Sequence, residues 1–291
     1  MADLRITGFG KLTLACQSQR VATYPTQQVE ELLGYLLLNQ LTAHDREELI
    51  DMLWPAQIPK NGRGSLSTVL WRLRSIFRQL GFRACAFTDS TRDTVSFRPQ
   101  CDIQFDVHLF ERALIRARHL QFLAKKTEVL EEAVDLYKGS LYSTIYADWC
   151  LVERERLARL HLQALGQLMY CYMHRNLYPQ AIDLGERILI EDPLREEIYR
   201  AKMICYARVG RRMHVAREFR RCTDQLQTQL AILPSPQTVK TYQESMYTCF
   251  QASAVTDGRT PDPRLQQAFL DFQEAGDRLS RLLDEASVRQ R

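Results

Sequence analysis

The sequence predicts a mainly α-helical protein with a small β part confined to its first hundred residues. Three observations carry that prediction. Residues 60–80 (KNGRGSLSTVLWRLRSIFRQL) place apolar residues at helical spacing. Short period-2 stretches stand on either side of them, within residues 4–24 and 87–97. Beyond Cys101 the strand signals vanish and a helical pattern recurs every 34 residues.

The elements follow in order. Leu4, Ile6, Leu12, Leu14, Val21 and Tyr24 alternate with polar residues around Gly8 and Gly10, which suits short strands. Residues 27–39 (QQVEELLGYLLLN) are apolar and long enough for a core helix. Thr42 and Asp45 have the spacing of a capping box and predict a second helix over residues 43–53, closed by Trp54-Pro55. Pro55 and Pro59 bracket a loop, and Asn61 is placed to cap the third helix. In that helix Leu66, Leu70, Leu73, Phe77 and Leu80 form one stripe, and Gly81 stops it. Phe87, Val95 and Phe97 then fall on a hairpin turning at residues 89–93. Strands, three helices and a terminal hairpin make the outline of a winged helix-turn-helix.

The 34-residue recurrence is the tetratricopeptide period. Leu165, Met169, Cys171, Tyr172, Asn176 and Ile182 are answered by Tyr199, Met203, Cys205, Tyr206, Gly210 and Ala216. A more degenerate helix pair spans 110–123 and 127–137, joined to the second pair by the long segment 146–168. Residues 252–263 (ASAVTDGRTPDP) read as a linker. Leu265, Phe269, Phe272, Leu279 and Leu282 then lie on one face of a last amphipathic helix. The expected domains are 1–100, a winged helix-turn-helix; 101–250, a TPR-like helical repeat; and 251–291, a linker and C-terminal helix.

The net charge of +4 on 291 residues is mild, but it is unevenly placed. Residues 60–98 hold eight basic and two acidic side chains, a net +6, so the rest of the chain carries −2. A local basic patch on a near-neutral chain is the footprint of a phosphate-contacting module. The eight cysteines are scattered without a C-x-x-C pair, which argues against zinc and against a disulfide framework. No signal core and no run approaching 18 apolar residues is present, so no membrane span is expected and the simplest address is a reducing cytoplasm.

Catalytic signals are lacking. His44, His108, His119, His161, His174 and His214 are isolated, and no H-E-x-x-H, G-x-S-x-G or Walker A run occurs. Glu131, Glu132, Glu153 and Glu155 read as solvated helix faces, and Met169, Tyr172, Met203 and Tyr206 as repeat core. No enzyme, cofactor or metal is expected.

The binding signals lie on the third helix and the hairpin. Thr68, Trp71, Arg72 and Ser75 are the candidate groove face. Arg72 either reads guanine bidentately or clamps a phosphate. Trp71 either touches base edges or packs under the hairpin. Arg74 and Arg78 touch phosphate or brace the fold. Arg63, at the start of the helix, reaches backbone, and Arg92, at the hairpin tip, either probes phosphate or the minor groove or is a solvated turn arginine. The expected partner is double-stranded promoter DNA. The alternative is a repeat-based protein–protein adaptor whose winged helix binds no DNA.

The order of parts resembles the bacterial transcriptional activator domain (BTAD) proteins, the SARP group of antibiotic-pathway regulators, with their OmpR-like winged helix. ELLGYLLLNQLTAHDREELIDMLWP resembles the first two DNA-binding helices of that family, and SLSTVLWRLRSIFRQLG its recognition helix. CDIQFDVHLFERAL, LYKGSLY, ADWCLVERERLARLHLQAL, EDPLREEIYRAKMICYARVGRR and LAILPSPQTVKTYQ follow in the order of its activation domain. The resemblance covers residues 4–250 and implies an activator that contacts RNA polymerase holoenzyme through its repeats. It also implies binding as a homodimer or in tandem on direct repeats, and a place at the nucleoid. Two departures stand out. The first helix opens on Thr26-Gln27-Gln28-Val29-Glu30-Glu31, where relatives more often carry a base. Neither a P-loop nor a receiver segment accompanies the two modules, so phosphoaspartate control has no expected seat.

Overall fold

A computed structural model describes residues 4–17, 19–55, 60–82, 87–99 and 101–256, with side chains as far as residue 251. The chain forms two compact units. One comprises residues up to 121 together with Glu128–His161. The other comprises Phe122–Thr127 together with residues from 162 onward.

The first unit opens with β1 (Leu4–Thr7), β2 (Thr13–Cys16) and β3 (Gln19–Val21), an antiparallel meander with Leu4, Ile6, Leu12 and Leu14 turned fully inward. Three helices follow: α1 (Gln27–Leu38), α2 (Arg46–Leu53) and α3 (Gly62–Gln79). They bury Val29, Leu32, Leu33, Leu36, Leu49, Ile50, Leu66, Leu70, Leu73 and Phe77 against one another. Each such side chain contributes about 1.5–3 kcal/mol when removed from water, so the helical stripes settle the packing.

The second helix begins later than its capping box predicts. Ala43–Asp45 form a strand, β4, that pairs with β6 (Thr94–Phe97), which in turn pairs with β5 (Thr88–Ser90). The N-cap of α2 is Asp45, not Thr42, and its side chain makes no capping bond. The cause is tertiary. The ladder to β6 occupies the backbone of residues 43–45, and the Arg46 N–H donates to Asp93 O in the hairpin turn at 2.9 Å.

A strand beyond Cys101 also escapes the sequence pattern. β7 (Ile103–Phe105) pairs in parallel with β1, Leu4 opposite Ile103 and Ile6 opposite Phe105, and extends the meander to the order β3-β2-β1-β7. It leads straight into α4 (Asp106–His119), followed by α5 (Leu123–Leu136) and α6 (Asp148–His174). The Asp106 carboxylate accepts from the N–H groups of Gly8 at 2.7 Å and Phe9 at 3.2 Å. The loop after α5 closes on the same turn: Tyr142 N–H donates to Gly8 O at 2.8 Å and Ser143 N–H to Gly10 O at 2.7 Å. The buried Tyr142 hydroxyl donates to Gly34 O inside α1. Arg154 fixes that loop from α6, donating to the carbonyls of Leu141, Tyr142 and Ile145 at 2.8–2.9 Å. The winged-helix module and the start of the helical region therefore share one core.

In the second unit α7 (Tyr178–Glu191), α8 (Glu196–Arg208), α9 (Arg212–Leu230) and α10 (Pro236–Thr256) pack in sequence. The 34-residue recurrence is visible in the backbone. Asn176 and Gly210 both take the left-handed conformation, at φ 58° and 73°. Each ends its helix the same way: Leu177 N–H bonds Tyr172 O, and Arg211 N–H bonds Tyr206 O. These are Schellman closures, 34 residues apart. The amphipathic segment 265–282 lies outside the described residues.

Candidate nucleic-acid interface

α3 is well delimited. Asn61 Oδ1 accepts the Gly64 N–H at 3.0 Å and caps the first turn. At the other end Gly81 (φ 85°) donates to Arg78 O and Phe82 to Phe77 O, a third Schellman closure. Its buried face is aliphatic and aromatic, and Phe77 stacks on Phe87 of the hairpin at 4.1 Å. Its outer face exposes Arg63, Ser67, Thr68, Trp71, Arg78 and Gln79, with Arg72, Arg74 and Ser75 half-buried at the sides. At about 100° per residue, Ser67, Thr68, Trp71, Arg74, Ser75 and Arg78 fall in one arc of about 120°.

The eight sequence-predicted residues divide by what they already hold. Arg72, Arg78 and Arg92 make no ion pair or side-chain hydrogen bond among the described residues, so each keeps its guanidinium donors for an outside partner. Arg92 is exposed at the hairpin tip. Thr91 Oγ1 shapes that tip by accepting the N–H groups of Asp93 and Thr94. Arg74 is committed inward: it donates to Thr88 Oγ1 at 2.9 Å and Ser90 Oγ at 2.6 Å, tying β5 to α3. Arg63 pairs with Glu47 at 2.7 Å and Asp93 at 3.7 Å. Both partners are exposed, and such a pair contributes only about 0–1 kcal/mol, so a phosphate can displace it. Thr68 Oγ1 donates to Gly64 O at 3.0 Å. That leaves its lone pairs facing outward, suited to the amino groups of adenine or cytosine.

Trp71 stands 60% exposed and does not pack under the hairpin. With Arg72 and Ser75 it borders a hollow of about 430 Å³, whose far wall is Val21, Thr23 and Tyr24 from the segment before α1. The Tyr24 hydroxyl donates to Leu12 O, and burial, aided by Glu30, pushes its titration far above the ordinary tyrosine range. It is a fixed neutral wall.

Two residues were missed by the sequence reading. Ser67 shares the outer face and donates to Arg63 O at 2.8 Å. Arg46 donates to Thr91 O at 3.2 Å and approaches Ser67 Oγ at 3.4 Å, so it ties α2, α3 and the hairpin tip together. Helical spacing signals Ser67; nothing local signals Arg46, whose partners lie 21 and 45 residues away. Among the described residues no cluster of His, Cys, Asp and Glu could hold a metal ion, and no helix is long and apolar enough to cross a membrane.

Comparison with known proteins adds the following. The family model of the bacterial transcriptional activator domain matches residues 105–244. The regulatory protein AfsR of Streptomyces coelicolor is 22% identical over 240 residues, which cover 80% of this chain and 23% of AfsR. The chain thus spans about a quarter of that relative's length. The solved structure of Mycobacterium tuberculosis EmbR, in complex with a low affinity phosphopeptide, superposes with a TM-score of 0.70 at 16% identity. That alignment covers 98% of this chain and 72% of EmbR. The likeness is one of fold: a winged helix followed by a helical repeat.

Proposed function

We propose that this chain, whose residues 105–244 match the bacterial transcriptional activator domain, is a transcription regulator of the BTAD/SARP type that binds promoter DNA sequence-specifically through α3 and its hairpin. The family is one of regulators, not of enzymes. The observation that carries the reading is the set of uncommitted arginines. Arg78 lies on the outer face of a braced, capped helix, Arg72 stands at the edge of that face, and Arg92 projects from the adjoining hairpin. Arginine at base edges reads guanine, and arginine at the margins neutralises phosphate.

On this reading the division of labour follows 1–100, 101–250 and 251–291. The first segment places the chain on a promoter. The second, a TPR-like stack, contacts RNA polymerase holoenzyme and recruits it. Pairing of two copies, as a homodimer or in tandem on direct repeats, supplies the area that one small module lacks for specificity at cellular salt. The work is done in the cytoplasm, at the nucleoid.

The test is retention of binding in the Arg72→Ala/Arg78→Ala double variant. Both side chains lack described partners, so the variant is expected to fold with an unchanged circular dichroism spectrum. Its affinity for promoter duplex is expected to fall at least tenfold. Undiminished binding by the folded double variant overturns the assignment, and a wild-type chain that ignores duplex altogether favours the adaptor reading.

A further inference from the structure

The corner between α8 and α9 carries a basic cluster that the DNA-binding reading leaves unused. Residues 208–221 (RVGRRMHVAREFRR) hold six arginines and one glutamate. Two of these charges are engaged inside the fold: Arg221 pairs with Glu186, and the buried Glu218 with Lys202. Arg208, Arg211, Arg212, Arg217 and Arg220 are exposed and make no ion pair or side-chain hydrogen bond among the described residues. The turn gathers them, because Gly210, at φ 73°, closes α8 and Arg211 is already the N-cap of α9. At about 100° per residue, Arg212, Arg220, Met213 and Arg217 then fall in one arc of about 140°. Met213 lies between Arg220 and Arg217 on that arc and is 78% exposed, and Val209, in the turn, is 39% exposed. Asp224 is the one acidic side chain on the arc, so the face is net positive.

The fold itself gains nothing from this arrangement. Arg211 and Arg212 stand at the positive end of the α9 dipole, and the first turn holds no acidic residue to offset them. Arg217 and Arg220 are like charges three residues apart on one helix face. Both placements weaken α9, and a local rule broken without a compensating contact marks a functional surface.

We infer that this corner is the face the repeats present to RNA polymerase: an acidic segment of the holoenzyme lays its carboxylates on the arginines and an apolar side chain on Met213. Three points select that occupant. Guanidinium groups match carboxylates fork to fork. An exposed methionine ringed by arginines has the composition of a protein interface, whereas a phosphate backbone needs the arginines alone. A second copy of the chain does not fit, because two such faces set like charges against each other. The inference rests on the proposed reading that the repeats contact polymerase, and adds which face does so and by what chemistry.

The test measures binding of purified RNA polymerase holoenzyme to the immobilised full chain in the absence of DNA. The wild type is expected to bind, less tightly as salt rises. Arg212→Glu/Arg217→Glu/Arg220→Glu is expected to lose affinity by about tenfold or more. Its thermal midpoint should not fall, since no described partner is removed and the start of α9 gains an acidic residue. Should the reversal unfold the chain, the milder Arg217→Gln/Arg220→Gln variant decides, with a loss of about threefold expected. Met213→Ser should weaken binding and leave its salt dependence intact. Undiminished binding by the folded charge variant or by Met213→Ser overturns this inference alone. A wild type that ignores the holoenzyme overturns the recruitment reading and the inference with it. Promoter affinity of the same variants should match the wild type; a fall in step with polymerase binding assigns the corner to DNA phosphate and overturns the inference.

Discussion

Lys202 is 1% exposed in the middle of the second unit, and its removal gives a stability change that can be worked out in advance. Its ammonium lies 2.9 Å from Glu218 Oε2, at an angle poor for a hydrogen bond, so that contact is chiefly charge pairing. It also donates to Glu186 Oε2. Glu186 in turn accepts Arg221 through both oxygens at 2.7 and 2.8 Å. The four side chains are neutral together. Taking Lys202 away has unequal effects on its two carboxylates. Glu186 is 43% exposed and keeps Arg221. Glu218 is 3% exposed and loses its one described ion-pair partner. A buried charge that loses its partner costs about 3–5 kcal/mol. Lys202→Leu is therefore expected to destabilise by that amount. The Lys202→Leu/Glu218→Leu double variant removes both buried charges and is expected to recover most of the loss, because well-packed apolar residues replace buried ion pairs at little or no cost. Urea unfolding followed by circular dichroism supplies the three comparisons. A single variant as stable as the wild type, or a double variant no better than the single, refutes the reasoning.

Three further outcomes are expected. Asn61→Ala loses the cap of α3 and costs about 1 kcal/mol. A Cβ at residue 64 would stand 2.5 Å from Asn61 Nδ2, so Gly64→Ala should stabilise by about 0.5–1 kcal/mol only when Asn61 is already alanine; additive effects in a thermal-unfolding cycle would contradict this. Arg154→Ala deprives three loop carbonyls of a charged donor and should cost about 2–4 kcal/mol, with Arg154→Lys restoring little because an ammonium lacks the planar fork; full rescue by lysine would count against the geometry. Burial pushes the Glu186 carboxyl up, but the donors on Lys202 and Arg221 outweigh it and hold it below its ordinary 4.5. Its stabilising contribution is then complete above about pH 4.5 and drains away as pH falls through the lower folded value. Glu186→Gln should flatten the loss of stability in that acid range, and parallel pH curves for the two proteins would contradict the assignment.

What could be read from the sequence was what depends on neighbours within a helical turn or on an exact period. The stripe, cap and glycine stop of α3 are local, and so are the matching helix ends at Asn176 and Gly210. The short strands β4 and β7 were not legible. Each has three residues, too few for an alternation, and each forms because a partner strand far along the chain offers a free edge. The braces were hidden for the same reason: Asp106 reaches back 98 residues to Gly8, and Arg74 turns from the outer face to a hairpin 14 residues on. One signal was available and unused. In the 34-residue frame Lys202 and Glu218 stand where Leu168 and Leu184 stand one repeat earlier, and both leucines are buried. Two charges of opposite sign at successive core positions announce a buried pair. On the candidate interface, spacing located the face but not the commitments, and only the structure separates Arg74, engaged with β5, from Arg72 and Arg78.

The central claim is that Arg72, Arg78 and Arg92 meet nucleic-acid charge. The dependence of promoter affinity on salt measures this most directly, because each neutralised phosphate adds about 0.9 to the slope of log affinity against log salt. Binding of wild type and of the Arg72→Ala/Arg78→Ala/Arg92→Ala variant, measured from 50 to 200 mM salt, should differ in slope by about 2.7 if all three touch phosphate, and by about 0.9 less for each that reads a base instead. Equal slopes and equal affinities in the two proteins would contradict the account.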